Sequence, residues 1–182
     1  MAEPMTAGEH HGVDVRHHGV DVRVAAAAAV RALVDRRQTL AVAESLTGGL
    51  VAATLVEIAG VSAVFRGGLV VYATDLKHSL AGVPEELLAE VGPVDPDVAG
   101  ALAEGVRQRC GADWGLATTG VAGPEPQDGK PVGLVYVAAA GPDRSTVRRL
   151  DLTGSRADIR AASVTAVLGL LVAEMAASPA RG

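Results

Sequence analysis

The sequence TLAVAESLTGG, residues 39–49, combines a short apolar run with a turn rich in small residues. The run from Thr39 to Ala43 predicts a buried strand, and the residues from Leu50 to Ile58 return to the spacing of a helix. Between them, polar residues and two glycines interrupt both patterns and indicate a tight turn. The chain therefore runs strand, turn, helix, which is a unit typical of α/β folds.

The rest of the chain continues this alternation of strands and helices. Helices are predicted over 24–37, 74–81, 84–91, 95–109 and 155–176, and strands over 64–73, 114–118, 134–140 and 146–152. Pro84 and the pair Asp95-Pro96 suit the first turns of two of these helices, because a first turn leaves its N–H groups unpaired. Short joins between the elements predict a three-layer α/β/α sandwich around a central sheet that is mostly parallel or mixed.

The first 23 residues contain a tandem repeat, because HHGVDVR at 10–16 recurs unchanged at 17–23. A repeat without a hydrophobic stripe predicts a disordered tail over 1–23. Its four histidines could bind a metal ion, but paired histidines in a mobile tail seldom form such a site. We therefore assign the folded domain to 24–177 and a flexible C-terminus to 178–182.

Composition excludes several classes of partner. The formal net charge of −5 gives no general attraction to a phosphate backbone, which argues against nucleic acid. No uninterrupted apolar run reaches the roughly 18 residues of a bilayer span, and the N-terminus does not resemble a secretory signal. The sequence predicts a cytoplasmic protein that binds no membrane.

Lysine is rare in this chain, since only Lys77 and Lys130 are lysines among its 16 basic residues. A lysine whose pKa is lowered can act as a general base, which arginine cannot do, although a chance surface lysine fits the composition equally well. His78 is the only histidine outside the repeat, and its polar surroundings favour a solvated surface residue. No metal-binding motif is present, so we expect neither a metal nor a cofactor.

Ser45 follows the first predicted strand and precedes a helix, where a nucleophile would face substrate beside N–H groups that stabilise an oxyanion. The alternative is an ordinary helix-capping serine. A second glycine-containing loop, residues 118–124, also follows a strand and could cradle a phosphate. It lacks the Gly-Lys-Ser/Thr of a Walker loop, which argues against ATP hydrolysis.

Four ordered motifs resemble one known family. These are AESLTGG at 43–49, YATDLK at 72–77, TGVAGP at 119–124 and KPVG at 130–133. They are similar to the motifs of the CinA C-terminal-domain family, whose stand-alone members are nicotinamide-mononucleotide deamidases. The similarity covers about residues 25–176, which is almost the whole predicted domain.

The resemblance implies a hydrolase that releases ammonia from nicotinamide mononucleotide and leaves nicotinate mononucleotide. In that reaction Ser45 would attack the carboxamide and Lys77 would take its proton, while Tyr72 would orient Lys77 or the substrate, or be a core residue. The remaining candidates would bind substrate: Thr47, Gly48 and Gly49 in the turn, Thr119, Gly120 and Gly123 in the second loop, and Arg156 and Arg160 as phosphate partners or solvated helix charges. The resemblance also implies a homodimer.

The sequence departs from the family pattern at two places. Leu46 replaces the cysteine after the serine, and Ala73-Thr74 replaces a serine and an asparagine. The first change alters packing beneath the turn, and the second removes a polar contact that bears on substrate preference. Two other functions therefore remain open: a non-catalytic nucleotide-binding or regulatory module, and an amidohydrolase for another small amide.

Overall fold

The computed structural model describes residues 15–178, and they form six helices, five strands and one short 3-10 turn. The helices are α1 Val15–Arg36, α2 Leu50–Val56, α3 Thr74–Ser79, α4 Glu85–Val91, α5 Pro96–Arg109 and α6 Arg156–Ala177. The strands are β1 Leu40–Glu44, β2 Phe65–Val70, β3 Trp114–Gly120, β4 Leu134–Ala140 and β5 Ser145–Asp151, and the 3-10 turn is Val61–Ala63.

The five strands form one mixed sheet in the order β2-β1-β3-β4-β5. Strand β1 pairs in parallel with both β2 and β3, whereas β3–β4 and β4–β5 are antiparallel. The parallel pairs are joined through helices, and the antiparallel pairs are joined directly, as strand direction requires. The predicted α/β class is confirmed, with a sheet that is mixed.

The two faces of the sheet bury separate apolar cores. In β1, Leu40 and Val42 belong to the core beneath α1, α2 and α6, while Ala41 and Ala43 belong to the core beneath α4 and α5. This division follows from the alternation of side chains along a strand. The result is the predicted three-layer sandwich, in which β1 and β3 are interior strands of the sheet.

Helix α5 lies unusually close to β3. A Cβ atom added at Gly115 would lie 2.0 Å from the carbonyl oxygen of Ala103 and 2.8 Å from Cβ of Arg107. Gly115 therefore allows the helix backbone to approach the sheet without an intervening side chain.

The amino ends of β1 and β3 lie at the edge of the sheet where Trp114 is found. Its ring is almost completely buried, and its Nε1–H donates to Oε1 of Gln38 at 3.0 Å. Nearby, Oδ2 of Asp113 accepts from both the N–H and the hydroxyl of Thr39, each at 2.8 Å. These contacts tie the two strands together at their starting ends.

The largest difference from the predicted elements lies in α1, which begins at Val15 and not at Val24. The backbone of the second repeat copy, 17–23, is therefore helical, so the predicted disorder is wrong for that segment. Extending an existing helix fixes one residue for each added hydrogen bond, and Val22 gains packing against the core. The first copy, 10–16, lies largely outside the described residues, as do the final residues 179–182.

Helix α6 is long and apolar enough to cross a membrane by length and composition. In the fold, eight of its side chains are buried against α1 and the sheet: Ile159, Ser163, Val164, Val167, Leu168, Leu170, Leu171 and Met175. A core helix passes the same length and composition test. Its apolar character is explained by this packing.

Candidate active site

The candidate site lies where the parallel strands end, at the edge of the sheet opposite Trp114. Ser45 follows β1 directly, and its N–H donates to the carbonyl oxygen of Thr118 on β3 at 3.0 Å. Parallel α/β sheets commonly bind ligands beyond the carboxyl ends of their strands. Ser45 is therefore fixed by the sheet itself at a position suited to chemistry.

Lys77 contacts Ser45 from helix α3, which follows strand β2. Its side chain is 1% exposed, and Nζ lies 3.1 Å from Oγ of Ser45. Nζ also donates to the carbonyl oxygens of Val71 at 2.8 Å and Tyr72 at 3.3 Å. The alternative of a chance surface lysine is therefore wrong.

The course of the chain after β2 explains these contacts. The strand was predicted to run to residue 73 but ends at Val70, and α3 begins at Thr74. The carbonyl groups of the intervening residues accept from the Lys77 ammonium, which lies on α3. The apolar run alone does not reveal this, because the acceptors are backbone groups.

Burial lowers the pKa of Lys77 from its ordinary value of 10.5 to about 8, while the nearby carboxylate of Asp75 acts in the opposite direction. In the neutral form, Nζ has two N–H groups and one lone pair. The two carbonyl oxygens can accept those N–H groups, which leaves the lone pair for the hydroxyl of Ser45. The geometry and the lowered pKa together suit Lys77 to act as a base toward Ser45.

The serine turn, residues 44–49, is held in place by a carboxylate that the sequence did not single out. Oε2 of Glu44 accepts from the N–H groups of Gly49 and Val51, both at 3.0 Å, and Oε1 accepts from Ala52 at 2.8 Å. The first turn of α2 is therefore occupied by Glu44, and Ser45 is not its capping residue. The feature of the sequence that could have indicated this role is a glutamate at the end of an otherwise apolar strand.

The same turn is held from its other side by Arg160. Its guanidinium donates to the carbonyl oxygens of Leu46 at 3.1 Å and Thr47 at 2.6 Å. The hydroxyl of Thr47 is fully buried and lies 2.8 Å from that of Thr118. The side chains of Thr47 and Arg160 therefore support the turn, and their predicted contacts with substrate stay predictions.

Gly48 and Gly49 shape the turn through their backbone. Both have positive φ angles, 59° and 95°, which L side chains rarely adopt. Their N–H groups donate to the carbonyl oxygen of Ser45 and to Glu44. These two glycines therefore have a structural role in the turn, and their predicted contact with substrate stays a prediction.

A cavity of about 120 Å³ opens next to Ser45 and Lys77. Five of the other residues predicted to act in the site line it: Tyr72, Thr119, Gly120, Gly123 and Arg156. The other lining residues include Leu46, Thr74, Val121 and Ala122, which lie in motifs discussed above, and four that the sequence did not identify: Pro93, Val94, Glu125 and Gln127. We call this cavity the Ser45 pocket.

Arg156 supplies a positive charge at the wall of the Ser45 pocket. Its guanidinium donates to the hydroxyl of Tyr72 at 2.8 Å and to the carbonyl oxygen of Gly123. Tyr72 is 58% exposed, so its alternative interpretation as a core residue is wrong. The pocket thus has the serine and lysine at one place and an accessible guanidinium at another.

Fold and site together define an α/β/α protein with a buried serine–lysine pair at the carboxyl ends of its parallel strands. The chain belongs to the CinA C-terminal domain family, whose model matches residues 23–175. This confirms the resemblance found in the four motifs.

Relatives of known sequence include CinA-like proteins from bacteria. The chain is 52% identical over 147 residues to a protein of Frankia casuarinae, which covers 81% of this chain and 34% of that protein. It is also 52% identical over 126 residues to a protein of Acidobacterium capsulatum, covering 69% and 30% respectively. The chain thus spans about a third of the length of these curated relatives.

Solved structures share the whole architecture. A CinA superfamily protein from Klebsiella pneumoniae superposes with a TM-score of 0.83 at 30% identity, covering 86% of this chain and 99% of that one. A competence/damage inducible protein from Agrobacterium tumefaciens gives 0.81 at 35% identity, covering 84% and 94%. In length and fold, the described domain corresponds to these proteins.

Proposed function

We propose that the protein is a nicotinamide-nucleotide amidase, which converts nicotinamide mononucleotide and water to nicotinate mononucleotide and ammonia. The observation that carries this proposal is the 3.1 Å contact between Oγ of Ser45 and Nζ of the buried Lys77. Membership in the CinA C-terminal domain family supports the choice of substrate. Neither a metal nor a cofactor has a place in the proposed reaction.

In the first half of the reaction, Oγ of Ser45 forms a bond to the carboxamide carbon while its proton passes to Nζ of Lys77. The tetrahedral intermediate then collapses, the C–N bond breaks, and Lys77 returns the proton to the leaving nitrogen. Ammonia departs and an acyl-enzyme remains. In the second half, water attacks the acyl carbon, Lys77 takes a proton from the water, and Oγ of Ser45 recovers it as the carboxylate product leaves.

The serine turn offers a donor for the oxyanion of this intermediate. Across the described residues 15–178, the N–H group of Leu46 has no hydrogen-bond acceptor, and Leu46 lines the Ser45 pocket. Preorganised N–H groups stabilise developing negative charge in acyl transfer. We assign the Leu46 N–H group to the oxyanion.

The phosphate of the substrate requires a different part of the pocket. The sequence suggested that the start of α2 could attract an anion, but the Glu44 carboxylate already accepts from N–H groups there. Arg156 is exposed and lines the pocket, and a guanidinium can bind phosphate through two parallel hydrogen bonds. We therefore place the phosphate at Arg156 and the carboxamide at Ser45.

The test is ammonia release from nicotinamide mononucleotide by the wild-type protein and by Ser45→Ala, with EDTA present. We expect robust release by the wild type and none above background by the variant, since the bond-forming oxygen is gone. The riboside without phosphate serves as the comparison substrate and is expected to react with a higher KM. Release that persists in Ser45→Ala would remove Ser45 from the mechanism.

The rate should depend on pH through Lys77. Because the base must be neutral, kcat/KM is expected to rise with pH through an apparent pKa of about 8 and to level off above it. Asp75→Asn removes the carboxylate that raises the pKa of Lys77, so its profile should shift to lower pH. Rate profiles of ammonia release for both proteins provide the measurement, and a rate that falls between about pH 7 and about pH 9 contradicts the assignment.

Two other functions predict different outcomes. A non-catalytic nucleotide-binding module would bind nicotinamide mononucleotide without releasing ammonia. An amidohydrolase for another amide would be active only on that amide and would lose this activity in Ser45→Ala. The presence of both Ser45 and Lys77 in contact favours catalysis over binding alone. The homodimer and the cytoplasmic location expected from the sequence stay predictions.

A further inference from the structure

Glu44 is a buried carboxylate directly before Ser45. It is 1% exposed and shares the face of β1 that carries Leu40 and Val42, which is the apolar face beneath α2. Its hydrogen bonds go to three backbone N–H groups of the α2 start, and it forms no ion pair within residues 15–178. The burial of a charge without a cationic partner is costly unless hydrogen bonds compensate it.

Helix capping alone does not require a glutamate at this position. The N-cap residue of α2 is Gly49, which offers no side chain, and a serine or aspartate there would be the common solution. Instead, the acceptor reaches the helix from the strand residue adjacent to Ser45. One side chain therefore links the end of β1, the serine turn and the start of α2.

Arg160 holds the opposite side of the serine turn, because its guanidinium donates hydrogen bonds to the carbonyl oxygens of Leu46 and Thr47. Glu44 fixes N–H groups at the end of the turn and in the first residues of α2, and Arg160 fixes carbonyl groups within the turn. Between these two anchors lie Ser45 and the Leu46 N–H group assigned to the oxyanion. Movement of either anchor would change the distance from Ser45 to Lys77.

We infer that Glu44 is a positioning residue for the reaction, which holds Ser45 and the oxyanion donor in the reactive arrangement through the α2 start. This inference rests on the proposed role of Ser45 as nucleophile. It goes beyond that role because it makes the accurate placement of Ser45 depend on a carboxylate that does not line the Ser45 pocket. Its loss should slow the chemical step and leave substrate binding largely unchanged.

The central experiment uses Glu44→Gln, which keeps the size of the side chain but replaces one acceptor oxygen with an NH2 group. We expect kcat to fall roughly 10- to 100-fold, with KM within about twofold of wild type, because small displacements of reacting groups have effects of that order. Hydrogen exchange at the N–H groups of Gly49, Val51 and Ala52 should become faster.

Two variants guard against a loss that reflects stability alone. Glu44→Asp keeps the charge but is shorter by one methylene group, so it should also lower kcat in a folded protein. Asp113→Asn is the matched control at the other edge of the sheet, where the carboxylate accepts two hydrogen bonds from Thr39. That control should lower the melting temperature without changing kcat.

A second readout makes the inference independent of the natural substrate. A fluorophosphonate probe forms a bond between its phosphorus and Oγ of Ser45, fluoride leaves, and Lys77 takes the proton. The rate of this labelling, followed by intact mass, should fall in Glu44→Gln by a factor similar to that for kcat. If wild type is labelled but releases no ammonia, the amidase proposal fails while the labelling rates still decide the role of Glu44.

Folded Glu44→Gln and Glu44→Asp with wild-type labelling rates would overturn the inference. An equal fall in Asp113→Asn would also overturn it, because the effect would then follow stability and not position. A wild-type protein that is neither labelled nor active would overturn both the inference and the proposed role of Ser45.

Discussion

Lys77→Met is expected to lower the rate of ammonia release by about 100- to 10,000-fold, the range usual for loss of a general base. Methionine resembles lysine in length but has no group that accepts a proton at neutral pH. The control is Lys130→Met, which changes the other lysine at a position that does not line the Ser45 pocket and should leave kcat unchanged. A folded Lys77→Met protein with more than about a tenth of wild-type activity would contradict the role of Lys77.

The same variant should be at least as stable as wild type. Burial lowers the pKa of Lys77 to about 8 from 10.5, so the charged form of this residue destabilises the folded state. This destabilisation is fully present below about pH 8 and fades as pH rises toward 10.5. The gain in melting temperature of Lys77→Met over wild type should therefore be largest at neutral pH and shrink in alkaline buffer.

Lys77→Arg separates charge from basicity at the same position. Arginine remains protonated throughout the accessible pH range and cannot take the proton of Ser45. We therefore expect an inactive protein even though the positive charge is kept. Near-normal turnover in this variant would remove Lys77 from the mechanism.

Gly115→Ala is expected to be strongly destabilising although it adds only one methyl group. The added Cβ would lie 2.0 Å from the carbonyl oxygen of Ala103, so α5 must move away from β3. Overpacking of this kind costs about 3 kcal/mol, which corresponds to a fall of roughly 10 °C in melting temperature for a domain of this size. Thermal unfolding followed by circular dichroism measures the change.

The matched control for this substitution is Gly169→Ala. Gly169 lies within α6, and an added Cβ would have no neighbour within 4 Å. Alanine favours a helix over glycine by up to about 1 kcal/mol, so this variant should be as stable as wild type or slightly more so. If both alanine variants unfold at the same temperature, the close approach of α5 does not limit the fold.

Local patterns in the sequence were sufficient for most of the fold. The aspartate predicted to cap α5 does so, since Asp95 accepts from the N–H of Asp97 at 2.9 Å. The predicted strands all form, because alternating or continuous apolar runs report directly on burial. The order of the strands was not predictable, since it depends on contacts between segments far apart in the chain.

The candidate site was predictable where chemistry requires a particular side chain, as at Ser45 and Lys77. It was less predictable where two identical residues differ only in what they face. Arg156 and Arg160 lie one turn apart on α6, yet the first lines the Ser45 pocket and the second donates to the serine turn. Their separation by four residues places both arginines on one face of a helix, but it does not show which of them reaches the pocket.

The burial of Trp114 has a practical consequence for spectroscopy. It is the only tryptophan of the chain, and it lies at the start of β3, whereas Thr119 near the other end of that strand lines the pocket. A strand of this length separates the two by roughly 15 to 20 Å. Fluorescence excited at the red edge of indole absorption should therefore report unfolding without responding to ligand, and Tyr72, at the pocket wall, offers the complementary optical signal of occupancy.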